Sequence, residues 1–181
     1  MIYFTSDLHF GHDRDFIYKV RGFDSIAEHD EALISNWNSI INDDDIVFVL
    51  GDIMLKDNDN GIKCWKRLKG QKKIIWGNHD SKPKRELLLE CPNTEEIGCA
   101  TFWEYNDRRY FLSHYPTLTA NFDDAEADKK RVYNICGHTH TSDKFQDLDK
   151  GLIYHVEPEC QDNYPVPIDK IISDFKSLKR K

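Results

Sequence analysis

The amino-acid sequence predicts an α/β (α+β) fold with mixed strand order, and two observations lead to this prediction. Short apolar runs with the length of β-strands alternate along the chain with segments that carry helical periodicity. The 181 residues contain no internal repeat, low-complexity stretch or linker, and a chain of this length suits one domain around one sizeable core. We therefore expect a single domain over residues 1–181.

Strands and helices alternate regularly in the first half of the chain. A short strand is expected at residues 2–6, and Ser25 with Glu28 forms a capping box that opens a long helix. The continuous apolar run at residues 46–50 is typical of a strand buried on both faces. The next expected elements are a helix at 62–68, a strand at 73–76 and a helix at 84–89.

The second half is richer in strands. Asn106 and Asp107 predict the turn of a hairpin between strands at 101–105 and 110–113. The remaining expected elements are strands at 132–136 and 152–156 and a helix at 168–178. Strand and helix signals in this succession support the α/β class.

Composition argues against several classes of protein. The net charge of −7 lowers the expectation of a general nucleic-acid binder, although bound cations can supply local positive charge in a nuclease. No apolar run approaches the ~20 residues that span a membrane, and the N-terminal segment lacks the features of a signal peptide. The five cysteines are odd in number and scattered, without a CxxC pair. They indicate a reducing, cytoplasmic location and argue against a disulfide framework or a cysteine zinc site.

The residues that carry chemistry follow the predicted strands. Four strands end in the polar clusters Asp7-Leu8-His9, Gly51-Asp52, Gly77-Asn78-His79-Asp80 and Gly137-His138-Thr139-His140. A fifth strand delivers His114. Sites in open α/β sheets form at the carboxyl ends of the strands. Carboxylate oxygen and imidazole nitrogen suit Mn, Fe, Zn or Ni, and one carboxylate can bridge two such cations about 3.5–4 Å apart.

The spacing within the motifs supports a metal site. Asp-x-His and His-x-His place both side chains on the same side of an extended segment, and the glycines before Asp52, Asn78 and His138 allow sharp turns and close backbone approach. Each motif alone has an ordinary interpretation, since Asp7 suits a helix cap and His114 a surface or core histidine. Their combination, in order and at strand ends, favours a metal centre.

Taken together, the motifs resemble the calcineurin-like metallophosphoesterase superfamily, whose pattern runs DxH, GD, GNH[DE], H and GHxH. The segments SDLHFGH, Arg21-Gly-Phe, LISNWN and YPVPID are similar to a compact prokaryotic or phage-type branch. The resemblance implies a sandwich of two mixed β-sheets flanked by helices, and the chain is too short for a large cap domain.

The resemblance also assigns roles to residues. It implies a first metal held by Asp7, His9 and His140, and a second held by Asn78, His114 and His138. It implies that Asp52 bridges the two divalent cations, of which Mn is the first expectation and Fe, Zn or Ni the alternatives. A hydroxide shared by the cations would attack phosphorus, and His79 would protonate the leaving oxygen or bind the phosphate.

One departure and two further residues leave alternatives open. Many family members continue GD with an Asp that orients the catalytic His, whereas Ile53 follows Asp52 here, so the partner of His79 is unassigned. His12 is a candidate for substrate or metal contact, with a structural histidine as the alternative. Arg21 is a candidate for binding phosphate through two hydrogen bonds, with a plain salt bridge as the alternative.

The expected function is hydrolysis of a small, nucleotide-type phosphodiester, with a phosphomonoesterase as one alternative. A nuclease is a second alternative and would require a basic groove; the candidate residues for it are Lys82, Lys84, Arg85, Arg108 and Arg109. A non-catalytic scaffold is the third, and it is disfavoured because none of the expected ligands is missing. Trp103 or Tyr115 could stack on a base, with burial in the core as the alternative.

Overall fold

The computed structural model describes residues 1–119, 131–146 and 152–178, which contain two five-stranded sheets. The first sheet has the order β10-β1-β2-β3-β4 and consists of β1 (Ile2–Thr5), β2 (Ile46–Val49), β3 (Gln71–Ile75), β4 (Thr94–Gly98) and β10 (Val166–Pro167). Neighbouring strands from β1 to β4 are parallel, and β10 is antiparallel to β1. The carboxyl ends of β1, β2 and β3 therefore lie at one edge.

The second sheet is also mixed. It has the order β5-β6-β7-β9-β8 and consists of β5 (Ala100–Tyr105), β6 (Arg108–Ser113), β7 (Val132–Cys136), β8 (Phe145–Gln146) and β9 (Ile153–His155). The three central strands β6, β7 and β9 are parallel, and the two edge strands are antiparallel to their neighbours. The two mixed sheets that the sequence motifs implied are thus confirmed.

Within the described ranges, five α-helices flank the sheets. They are α1 (Asp15–Tyr18), α2 (Ile26–Ile40), α3 (Asn58–Lys66), α4 (Lys82–Leu89) and α5 (Ile168–Ser177). The capping box at the start of α2 is confirmed in its main bond, since Glu28 N donates to Ser25 Oγ at 3.2 Å. The return bond comes from the backbone N–H of Asp24, one residue earlier than expected, to Glu28 Oε2. None of the helices in the described ranges is long and apolar enough to cross a membrane.

The first sheet has a core on each face, which explains its continuous apolar strands. On β2, Val47 and Val49 join a cluster with the side chains of α2, α3 and α4, including Trp37. Phe48 and Leu50 point the other way, into a cluster formed with the second sheet and α5. Because side chains alternate along a strand, a run that is apolar at every position is the expected pattern for a strand between two cores.

Several short elements carry little signal in the sequence. β4 contains Glu95 and Glu96 and has no apolar run, yet it pairs in parallel with β3. α3 begins at Asn58, earlier than the apolar periodicity indicated, because the Asp57 side chain accepts a hydrogen bond from Asn60 N at 2.9 Å and caps the helix. These differences come from pairing and capping rather than from hydrophobic periodicity.

Candidate metal centre

The loops after β1, β2, β3, β6 and β7 meet where the two sheets face each other. Backbone hydrogen bonds tie the loop after β1 to the loop after β2, from Asp7 N to Gly51 O at 2.9 Å and from His9 N to Asp52 O at 3.0 Å. A further bond crosses between the sheets, from His138 N to Asp7 Oδ2 at 2.8 Å. The convergence expected at the strand ends is therefore present.

Asp7, His9 and His140 form one candidate ligand group, called group A. Asp7 Oδ1 lies 3.8 Å from His9 Nε2 and 3.6 Å from His140 Nε2, and the two imidazole nitrogens are 3.2 Å apart. Asp7 Oδ1 is buried and has no hydrogen-bond partner among the described residues. A buried carboxylate oxygen without a donor is costly, and its direction towards two imidazole nitrogens fits a divalent cation.

Asn78, His114 and His138 form the second candidate ligand group, called group B. His114 Nε2 lies 2.9 Å from Asn78 Oδ1 and 3.2 Å from His138 Nδ1. The other nitrogen of His114, Nδ1, is 2.8 Å from the backbone oxygen of Leu50, to which it can donate. That bond leaves Nε2 without a proton and able to bind a metal, the usual arrangement behind a histidine ligand.

Asp52 lies between the two groups. Its Oδ2 is 3.8 Å from His9 Nε2 in group A and 3.6 Å from His114 Nε2 in group B. The other oxygen, Oδ1, accepts a hydrogen bond from His79 N at 2.9 Å. One backbone amide thus orients the carboxylate so that its second oxygen faces both groups, which is the position a bridging ligand needs.

The backbone at these residues is unusual. Asp7, His9, Asp52 and His140 have φ values between 50° and 55°, and His138 has φ 78°. Only a few per cent of non-glycine residues adopt positive φ, although Asp and His do so more readily than most. Residues in such conformations cluster at functional sites, and here they are five of the seven expected ligands.

Two glycines of the motifs make room for the carboxylates. A Cβ atom on Gly77 would lie 2.2 Å from Asp52 Oδ1, and one on Gly137 would lie 2.2 Å from Asp7 Oδ2. Both contacts are far below van der Waals distance, so a side chain at either position would displace a carboxylate. The close backbone approach expected from the sequence is present at both positions.

A buried ion pair supports His140 from behind. Glu159 Oε1 lies 2.7 Å from His140 Nδ1 and 2.9 Å from an Nη atom of Arg21. Burial disfavours the charge of Glu159, but Arg21 and the bond to His140 lower its pKa to about 2. Burial also opposes the charge of His140, yet the bond to Glu159 and the nearby Asp7 raise the pKa of His140 above its usual value.

Arg21 lies inside the protein. Its side chain has 0% exposed area, and it donates to Asp7 O at 2.8 Å and to Leu8 O at 3.3 Å besides contacting Glu159. Its Nη1 also lies 2.9 Å from His29 Nε2. With its donors directed at these partners, Arg21 has the surroundings of the salt-bridge alternative, and it holds the loop that carries Asp7.

His79 and His12 differ in their surroundings. The side chain of His79 is 43% exposed, and its Nε2 lies 3.9 Å from Asp52 Oδ2. No described residue forms a hydrogen bond to its ring, so its orienting partner stays unassigned. His12 is buried, with its ring centroid 5.2 Å from that of His9. The pKa of His12 is lowered to about 4, mainly by burial and secondly by the nearby His79.

One supporting residue, Glu159, was not identified from the sequence. Glu159 follows β9, whose end lies at the same edge as the ligand loops, and this position was an available signal. Asp80, the last residue of the third motif, supports the ligand loops without belonging to group A or group B. Its carboxylate accepts hydrogen bonds from the backbone of Asp52, Ile53 and Gly77, and it thereby fixes two ligand loops to each other.

Comparisons with known proteins agree with this fold. The model of the calcineurin-like phosphoesterase superfamily domain matches residues 1–158. The uncharacterized protein MJ1445 of Methanocaldococcus jannaschii is 30% identical over 178 residues, covering 94% of this chain and 89% of that protein. The gene 66 protein of Mycobacterium phage D29 is 32% identical over 170 residues, covering 77% of this chain and 78% of that protein.

A solved structure has the same fold. The protein of unknown function AQ665 from Aquifex aeolicus matches with a TM-score of 0.74 and 23% identity, covering 96% of this chain and 98% of that one. At this identity the likeness concerns the fold alone. The archaeal and phage relatives agree with the prokaryotic and phage-type branch that the motifs indicated.

Proposed function

Because this chain belongs to the calcineurin-like phosphoesterase superfamily, a family of metal-dependent phosphate-ester hydrolases, we propose that it hydrolyses small, nucleotide-type phosphodiesters with two divalent cations. The proposal of two cations rests on the position of Asp52 Oδ2. This oxygen lies 3.8 Å from His9 Nε2 in group A and 3.6 Å from His114 Nε2 in group B. Mn²⁺ is the expected ion, and Fe, Zn or Ni are alternatives.

Each part of the site has a separate task in this proposal. When bound in groups A and B, the two cations supply Lewis-acid polarisation of the phosphate and a hydroxide nucleophile near neutral pH. Asp52, which faces both groups, would contribute a ligand to each cation. His79 has an exposed side chain beside Asp52, so it can reach a bound ester and donate a proton from its ring to the leaving oxygen.

The positions and contacts of three of the five candidate basic residues support a small substrate over a nucleic acid. Lys84 Nζ donates to Met54 O and His79 O, and Arg85 Nε donates to Asp80 O. The side chains of Lys84 and Arg85 thus fix the loop that carries His79 and do not present a free basic surface. Arg108 lies at the start of β6, at the opposite end of the strand from His114. A groove that binds a polynucleotide backbone needs positive charge along its length, and Lys84, Arg85 and Arg108 do not form such a groove beside the ligand groups.

A chromogenic ester assay tests the proposal. Metal-free protein is reconstituted with Mn²⁺ and assayed with bis(p-nitrophenyl) phosphate and with p-nitrophenyl phosphate. We expect the diester to be hydrolysed faster, and Asp52→Asn to reduce its turnover at least about 100-fold. Asp107→Asn, which changes an exposed turn residue in the same way, is the matched control. Retained turnover in Asp52→Asn would refute the two-cation assignment, and preference for the monoester would refute the substrate class.

The role of His79 needs a second comparison. His79→Ala should lower kcat more for a phosphodiester whose leaving group is an alkyl alcohol than for one whose leaving group is p-nitrophenol. The alkyl alcohol is a poor leaving group and needs a proton, whereas p-nitrophenolate leaves without one. Equal losses on both esters would contradict proton donation and leave phosphate binding as the role of His79.

A further inference from the structure

Two aromatic residues, Trp103 and Tyr115, have different surroundings. Trp103 packs into the core between the sheets, with its ring centroid 5.5 Å from that of Phe4 and 5.3 Å from that of Tyr105. Tyr115 instead is 50% exposed, although it follows His114 directly. An exposed aromatic ring next to a candidate ligand is available to a substrate, whereas the ring of Trp103 is not.

Tyr115 contacts group B through both of its histidines. Its ring centroid lies 4.6 Å from that of His138 and 5.0 Å from that of His114, with interplanar angles of 67° and 72°. A phosphate bound at group B would therefore have the tyrosine ring beside it. A group attached to that phosphate through an ester oxygen lies within reach of the ring.

Hydrogen bonds hold the segment of Tyr115 in place. Its backbone oxygen accepts from Ser113 Oγ at 2.7 Å and from Thr117 Oγ1 at 3.0 Å. Thr117 N in turn donates at 2.8 Å to Oδ1 of Asn134, a fully buried residue of β7. A ring on a fixed backbone loses little conformational freedom when a ligand stacks on it, which favours binding.

We propose that Tyr115 forms the subsite for the planar group of the substrate, and that this group is the nucleobase of a nucleoside phosphodiester. The proposal rests on the proposed function, because it places the scissile phosphate at groups A and B. Aromatic stacking tolerates different bases, since every base has a π-face. Tyr115 is thus expected to select nucleotides as a class without selecting one base.

Two esters with the same reacting bond test the subsite. They are thymidine 5′-(p-nitrophenyl phosphate) and methyl p-nitrophenyl phosphate, which differ only in the group that stays on phosphorus. In Tyr115→Ala we expect kcat/KM to fall roughly 10- to 100-fold more for the thymidine ester than for the methyl ester, mainly through KM, as the loss of one stacked base implies. Tyr115→Phe keeps the ring, so it should retain the wild-type ratio of kcat/KM for the thymidine ester to kcat/KM for the methyl ester.

Controls separate the subsite from general damage and from the proposed function. Phe102→Ala removes another exposed aromatic ring, on edge strand β5, and should change neither ester. Equal losses on both esters in Tyr115→Ala would overturn the subsite. Calorimetric binding of thymidine 5′-monophosphate to the Mn²⁺-loaded protein tests the subsite without hydrolysis. If neither ester turns over, the proposed function fails, and equal nucleotide affinity in wild type and Tyr115→Ala would separately overturn the subsite.

Discussion

Substitution of Glu159 by Gln tests whether the ion pair behind His140 tunes group A. The change keeps the size of the side chain and an oxygen that can accept from His140 Nδ1, but it removes the charge that lies 2.9 Å from Arg21. His140 becomes a less basic ligand, and the buried Arg21 loses its carboxylate partner. We therefore expect weaker cation binding at group A.

The magnitude follows from the hydrogen bonds. Residues that support a ligand from behind typically affect metal affinity by about 10- to 100-fold. The amide introduced by Glu159→Gln would retain an acceptor oxygen at the position that is 2.7 Å from His140 Nδ1 in the wild type. We therefore expect the lower end of that range, about tenfold or ~1.4 kcal/mol. Group B should keep its affinity, because His114 Nδ1 is supported by Leu50 O and not by Glu159.

Calorimetric titration of metal-free protein with Mn²⁺ resolves the two steps of binding. Glu31→Gln is the matched control, since Glu31 also pairs with an arginine, Arg67, but lies exposed and away from both groups. Unchanged affinity in Glu159→Gln would refute the supporting role of the ion pair. An equal loss in both binding steps would show that the substitution acts through global stability.

Three further predictions concern the same centre. Gly137→Ala should lower the free energy of unfolding by about 1–3 kcal/mol and weaken Mn²⁺ binding, because its Cβ would lie 2.2 Å from Asp7 Oδ2. Gly22→Ala is the control for the binding measurement: Gly22 has φ 87° and open space around its Cβ, so an alanine there is strained and lowers stability but should leave Mn²⁺ binding unchanged. Mn²⁺ at about 100 times its Kd should stabilise the protein by ~2.7 kcal/mol, an increase in melting temperature of roughly 5–10 °C that EDTA reverses. No increase would show that the ion does not prefer the folded protein to the unfolded chain. In metal-free protein, the folded pKa of His12 is lowered to about 4, below its ordinary value of 6.5, so the unfolded chain takes up this proton first. Stability should then fall as pH drops from 6.5 towards about 4, and denaturant titrations across this range should show a smaller fall in His12→Asn.

Hydrophobic periodicity and turn chemistry predicted much of the fold. The hairpin turn at Asn106 and Asp107 is confirmed, and both residues have the positive φ that such turns need. The strand at Val132–Cys136 has the expected bounds. β4 could not be predicted in the same way, because Glu95 and Glu96 form a strand only through pairing with β3.

The convergence of the candidate ligands was predictable for a different reason. Parallel strands bring their carboxyl ends to one edge, so Asp7 and Asp52 had to lie close if their strands were neighbours. The surroundings of Arg21 were not predictable. They depend on Glu159, which is 138 residues away in the chain, and on how the loops after β1 and β9 pack against each other. The sequence around Arg21 does not predict a contact with a residue so distant in the chain.

The ligand groups join one sheet to the other. Asp7 and His138 come from different sheets, as do Leu50 and His114, and each pair is connected by a hydrogen bond. The distance between two cations held there would consequently depend on the spacing of the sheets, which is set by the interior between them. Changes of volume at Phe48, a core residue outside the ligand groups, would alter catalysis by altering that spacing. Evolution can therefore tune the reactivity of such a centre without touching a single ligand.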